Sequence, residues 1–178
     1  KECLLTALGV PLGEIPTFHF ETPPAPEALD QLQQALHPGI TPRFKAQVEA
    51  VRQVAGHQDL VCVAMCIGPF SLMTKLLADP ITPVCLAGSG ITAADDSEVL
   101  RMERALELAF AMVQYSIRAK LAAGAAAVCI AEPAANKVYL SPRQIEAGAD
   151  IFERYVMRLH RQLRQLLAEA GADLFFHC

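Results

Sequence analysis

Three side chains in this sequence combine a chemically capable type with a position that could use it. His177 closes the apolar run Asp173-Leu174-Phe175-Phe176-His177, and Glu132 follows another, Ala126 to Ala131, directly before Pro133. The carboxyl ends of parallel strands are where catalytic residues collect. An imidazole there is a metal ligand or a packed ring. A carboxylate there contacts substrate, transfers a proton or supplements a metal site, or else serves as a structural cap or salt-bridge partner. The third side chain is Lys75, whose ammonium neutralises a substrate carboxylate or snorkels along a helix surface.

The remaining reactive residues read more plainly. Cys62 and Cys66 share a strand face, but an i, i+4 separation along a strand is about 13 Å, too far for one zinc ion; both read as core. Arg158, Arg161 and Arg164, with His160 among them, read as a solvated basic stripe, and His19, His37 and His57 fall in loops or helix ends without partners.

The elements that must position these groups follow from periodicity and punctuation. The first sixty residues are Pro-rich, with turn signals at Pro23, Pro24, Pro26, Pro38, Gly39 and Pro42 and two short helices at about 26–36 and 43–55. From Leu60 to Ile67 the chain is continuously apolar and stops at Gly68-Pro69, which predicts a strand buried on both faces. A short helix over about 70–78 precedes a loop carrying Pro80, Pro83, Gly88 and Gly90. Asp95 with Glu98 resembles a helix cap, and Val99, Met102, Leu106, Phe110, Val113, Ile117 and Leu121 recur at helical spacing down to Gly124. Ser141-Pro142-Arg143-Gln144 then starts a helix running to Gly171, with Gly148 as its weak point. The order strand, helix, strand, helix, strand predicts an α/β class with parallel strands at 60–67, 126–131 and 173–177 and helices 97–122 and 142–170 on one outer side.

Composition excludes several function classes. The chain has 178 residues, 53% hydrophobic and 19% charged, with a net charge of −4; the mean hydropathy is +0.29. Such a chain folds or associates, and without a positive field it has no means of gathering nucleic acid. No apolar stretch approaches the roughly 18 residues of a membrane span. Six cysteines without a compact disulfide framework suggest a reducing cytoplasm. No Gly-x-Gly-x-x-Gly or Walker motif is present, and Gly88-Ser89-Gly90 reads as an ordinary loop. Residue 1 is Lys and residue 178 falls inside a strand-like run, so the sequence reads as a piece of a longer chain.

Three segments, in this order, resemble one family: Ile67 through Leu77 (IGPFSLMTKLL), Ile130 to Ala135 (IAEPAA) with Leu140-Ser141-Pro142, and Leu174 to Cys178 (LFFHC). Over residues 40–178 the chain is similar to the uroporphyrinogen decarboxylase superfamily, which contains the decarboxylases and the zinc-dependent methylcobamide:coenzyme M methyltransferases. The resemblance implies a (β/α)8 TIM barrel of the uroporphyrinogen decarboxylase type, here a partial barrel. Residues 1–58 would form its N-terminal helical and loop segment and residues 59–178 its central βα units. A complete barrel needs about 250 residues.

The resemblance also implies two chemistries. In the methyltransferase branch a His-x-Cys at this strand end supplies two zinc ligands, and His177 matches the His. Strand residues i and i+2 share a face, so Cys178 is the wrong neighbour and the remaining ligands would lie downstream. On this reading zinc holds a thiolate for attack on a methyl-corrinoid, and a corrinoid protein is a partner. In the decarboxylase branch the ligand is a porphyrinogen, Lys75 stands where a substrate-contacting Tyr is usual, and an Arg-rich motif and an Asp would precede residue 1. Glu132 and Lys75 are the candidate catalytic residues, and Glu132 and His177 are expected to face one pocket at the carboxyl mouth. A non-catalytic fragment acting as an interaction module is the third reading. A partial barrel with bare edges is also expected to self-associate.

Overall fold

In the computed structural model, which describes residues 1–177, three strands form one parallel sheet in the order β1-β2-β3: β1 Val63–Ile67, β2 Ala127–Ala131 and β3 Asp173–His177. The register aligns Met65, Cys129 and Phe175 in one row and Ile67, Ala131 and His177 in the next. All three strands fall within the apolar runs. The first is shorter than its run, because Leu60 and Val61 stay outside the sheet and are exposed.

The expected (β/α)8 barrel is not formed. Among the described residues the sheet has three strands, with β1 and β3 at its edges, so the protein is a small α/β domain. Closing a barrel requires every strand to be paired on both sides, and three strands cannot do this. The strand predicted to be buried on both faces is buried on one. Ala64, Val128 and Ile130 belong to the main core, whereas Val63, Met65 and Phe175 on the other face are 44%, 65% and 53% exposed.

The helices that cover the buried face are α6 (Ser97–Ala122) against β1 and α8 (Arg158–Glu169) against β3. The α6 helix starts one residue later than its predicted cap. Asp96 accepts from the Glu98 and Val99 amides, while Asp95 is engaged by the Thr92 amide and hydroxyl. The helix predicted over 142–170 is split. The Ser141 hydroxyl caps a short α7 (Pro142–Glu146), Gly148 adopts φ +96°, which only glycine takes without strain, and the chain re-enters helix through a π-helical turn at Glu153–Met157. Gln144 does not close a capping box; its amide bridges to the Cys85 carbonyl and the Ser89 hydroxyl.

The loop expected after residue 78 contains a helix, α5 (Ile81–Gly88), despite Pro83. Proline is tolerated there because the first turn of a helix does not need its N–H. The N-terminal segment forms α1 (Glu2–Ala7), α2 (Ala28–Ala35) and α3 (Pro42–Ala55), each packed on α6. Leu4, Leu5 and Leu32 lie in the same core as Ile130, so α6 is the shared wall between this segment and the sheet.

Candidate functional site

The carboxyl end of β2 carries Glu132, which is fully buried. Its backbone N–H donates to the His177 carbonyl at 2.7 Å, extending the β2–β3 ladder by one residue. Its side chain lies across the N-terminus of α4 (Pro69–Thr74), where Oε1 accepts from the Ser71 amide, and Oε2 is 2.8 Å from His160 Nε2 on α8. The Ser71 hydroxyl in turn accepts from the Ala134 amide at 2.9 Å. The approach of the carboxylate explains Gly68, since a Cβ there would sit 2.0 Å from Glu132 Oε2.

Three elements therefore meet on one carboxylate, and both of its oxygens are occupied. With Oε2 as acceptor, His160 Nε2 is the donor, and Nδ1 is buried without a partner among the described residues. His160 was expected on the basic stripe. It is 6% exposed and stacks edge-on against Phe176 at 4.4 Å, while Arg158, Arg161 and Arg164 do face solvent.

Glu132 and His177 do not share a pocket. Glu132 follows Ile130 on the helix-covered side, whereas His177 is in phase with Phe175 on the open side, because strand residues alternate. His177 is exposed, level with Ile67 and Ala131. Cys178 lies outside the described residues. Among the described residues no group of three or more His, Cys, Asp or Glu side chains converges on a point that could hold a metal ion. The residues present do not by themselves build the expected zinc site.

Lys75 does reach a site. It caps the C-terminus of α4 and lines a cavity of about 620 Å3 at the carboxyl ends of β1 and β2, between the sheet edge, α1, α3 and α6. The walls are largely apolar, with Met65, Ile67, Leu72 and Val113 among them, and the charged groups are mostly cationic: Lys1, Arg43, Lys75 and Lys120 against Glu2. Arg43 pairs with Glu2 at 3.5 Å. The Lys1 side-chain amine is held below its ordinary pKa by partial burial and by the charge of Lys75.

No family model, curated protein or solved structure matches this chain.

Lys120 is the buried cavity residue that pattern reading missed. It is 4% exposed, and Nζ donates to the Met65 carbonyl at 2.7 Å and the Ser116 hydroxyl at 3.0 Å. Burial pushes its pKa below the ordinary lysine value, against the opposing influence of the Cys66 and Cys3 thiols. Cys66 shares the cavity wall, and burial raises its thiol to about 11. One signal was available: position 120 is three residues beyond Ile117 and seven beyond Val113, so a lysine stands on the apolar line of α6.

Proposed function

We propose that the protein binds a carboxylate-rich tetrapyrrole, a porphyrinogen or a corrinoid, in this cavity and acts on it as an enzyme of the uroporphyrinogen decarboxylase superfamily kind. The observation that carries the reading is the excess of cationic groups on an apolar cavity at the carboxyl ends of two parallel strands. Ligand sites in open α/β sheets lie in that position, and a volume of this size is ordinary for a small-molecule site. Lys75 holds a peripheral carboxylate at the rim, and the apolar walls take the macrocycle. Decarboxylation at such a site needs stabilisation of charge developing on a pyrrole ring, which the cations and apolar walls favour. The residue types at Ile67 to Leu77 and Ile130 to Pro142 support the same superfamily.

Methyl transfer from a corrinoid to a thiol is the second reading, favoured by His177 standing exposed at the end of β3. His177 would be one zinc ligand there, and the zinc would lower the pKa of the accepting thiol and hold it as thiolate. Cys3, Cys62, Cys66, Cys85 and Cys129 are free thiols, which supports a cytoplasmic setting. No helix of the described residues is long and apolar enough to cross a membrane. The bare sheet face and unpaired edges of β1 and β3 support self-association.

The test is equilibrium titration of the full chain with uroporphyrin, an octacarboxylate tetrapyrrole, followed by fluorescence. Binding should weaken with added salt, as screening of cations predicts, and should weaken further in Lys75→Glu. Absence of binding at low salt, or an affinity indifferent to both salt and Lys75→Glu, overturns the reading.

A further inference from the structure

Among the described residues the Lys120 amine has no counter-charge. An ammonium carries three N–H bonds; two of them reach the Met65 carbonyl and the Ser116 hydroxyl, and the third finds no acceptor among the described residues. None of the ion pairs among the described residues involves Lys120.

The groups that face it come from each neighbouring element. Its own helix α6 presents Ser116, β1 presents the Met65 carbonyl and the Cys66 thiol, and α1 contributes the influence of the Cys3 thiol. Cys66 supplies no anion at neutral pH, because burial holds its thiol at about 11. A buried charge that lacks a partner is costly, and the group either sheds its proton or gains a counter-ion. Lys120 lines the same cavity as Lys75.

We propose that Lys120 is the carboxylate-recognition residue of this cavity, and that it takes up a proton as an acidic ligand enters. The inference rests on the reading that the cavity accepts a carboxylate-bearing molecule. At a pH above its lowered pKa the amine of the free protein is neutral and donates its two protons to Met65 and Ser116. When a ligand carboxylate arrives, the amine gains one proton from solvent, and the new N–H donates to the carboxylate. The product is a buried ammonium–carboxylate pair, with charge and protons balanced by one proton taken from the buffer. Lys75, exposed at the rim, makes the other end of a two-point contact and needs no proton change. The site would thereby select ligands whose carboxylate can reach the inner wall over neutral amides of the same shape.

The experiment is calorimetric titration of the full chain with uroporphyrin in buffers of different ionisation enthalpy, at several values between about pH 6 and about pH 10, a range in which carboxylates stay ionised. Proton uptake should rise with pH toward about one per ligand bound, as linkage requires when a ligand raises the pKa of one group. Lys120→Met should bind roughly tenfold to a hundredfold more weakly, the loss of one hydrogen bond to a charged group, and should show no uptake. Lys75→Gln should bind more weakly yet keep the uptake.

Uptake near zero across the whole range in the unaltered protein overturns the assignment while leaving the cavity reading intact. That measurement needs no variant, so it stands even where Lys120→Met folds poorly. Unchanged uptake in Lys120→Met also overturns the assignment. Failure of the unaltered protein to bind uroporphyrin at low salt removes the cavity reading, and the Lys120 assignment with it.

Discussion

Replacing Glu132 by Ala should cost this protein a large part of its stability. The substitution strips the Ser71 amide and His160 Nε2 of their acceptors, both in the dry junction of β2, α4 and α8. Each buried donor left without a partner costs about 1–3 kcal/mol. With two donors stranded, the expected loss is about 2–6 kcal/mol. For a chain of this size that is a fall in melting temperature on the order of 4–24 °C. Glu132→Gln separates the contributions. Its amide oxygen can still accept from Ser71, but its NH2 then faces the Nε2 N–H of His160, two donors with no acceptor between them. A loss of about 1–3 kcal/mol is expected for this variant. Gly68→Ala should resemble Glu132→Ala, because its Cβ would occupy the position of the carboxylate. Urea denaturation followed by circular dichroism measures all three. A Glu132→Ala free energy within about 0.5 kcal/mol of the unaltered protein, the range of an ordinary surface change, would refute the claim that this carboxylate joins the three elements.

Three further outcomes follow from the geometry. The Cys66 thiol is raised from 9.0 to about 11, so its contribution to stability is complete below the unfolded value and is lost as pH rises through that window; a pH series of denaturation curves should flatten there in Cys66→Ala, and an unchanged profile would contradict the assignment. His177 is exposed on the open face, so His177→Ala should leave stability within about 0.5 kcal/mol while weakening zinc binding in a titration, and equal zinc affinity in the variant and the unaltered chain would remove the metal reading. Met65 and Phe175 lie in one register row on the bare side of the sheet. Light scattering at micromolar concentration should therefore find species larger than 19.2 kDa, reduced by Met65→Lys with Phe175→Lys, and a stable monomer of the unaltered chain would count against self-association.

The sequence by itself determined the three strands, their parallel pairing and the long helix α6, because each rests on local information. Runs of Val, Ile, Cys, Leu and Phe between turn residues specify buried strands, and the helical spacing from Val99 to Leu121 ends at Gly124, whose φ of +101° suits glycine alone. Local information also misled where two signals compete. Pro83 and Gly88 read as loop although they stand within α5, and the apolar run from Leu60 read as buried on both faces although helices cover only one. The periodicity of a strand says which residues share a face; it does not say whether anything packs on that face.

The site depended on the tertiary structure almost entirely. Glu132 and Lys75 were legible as unusual residues at element ends, but their roles were not. Glu132 falls on the helix-covered side of the sheet by one residue of phase, where Gly68 and Ser71, about sixty positions earlier, and His160, on a helix that follows, close around it. Lys120 reads in sequence as the basic last turn of a helix. Only the packing of α6 against β1 turns that surface cation into a buried amine on a cavity wall. Desolvation and the lack of a counter-charge among the described residues are properties of the surroundings, and those surroundings are assembled from α1, α3, β1 and α6, segments that are distant in the chain.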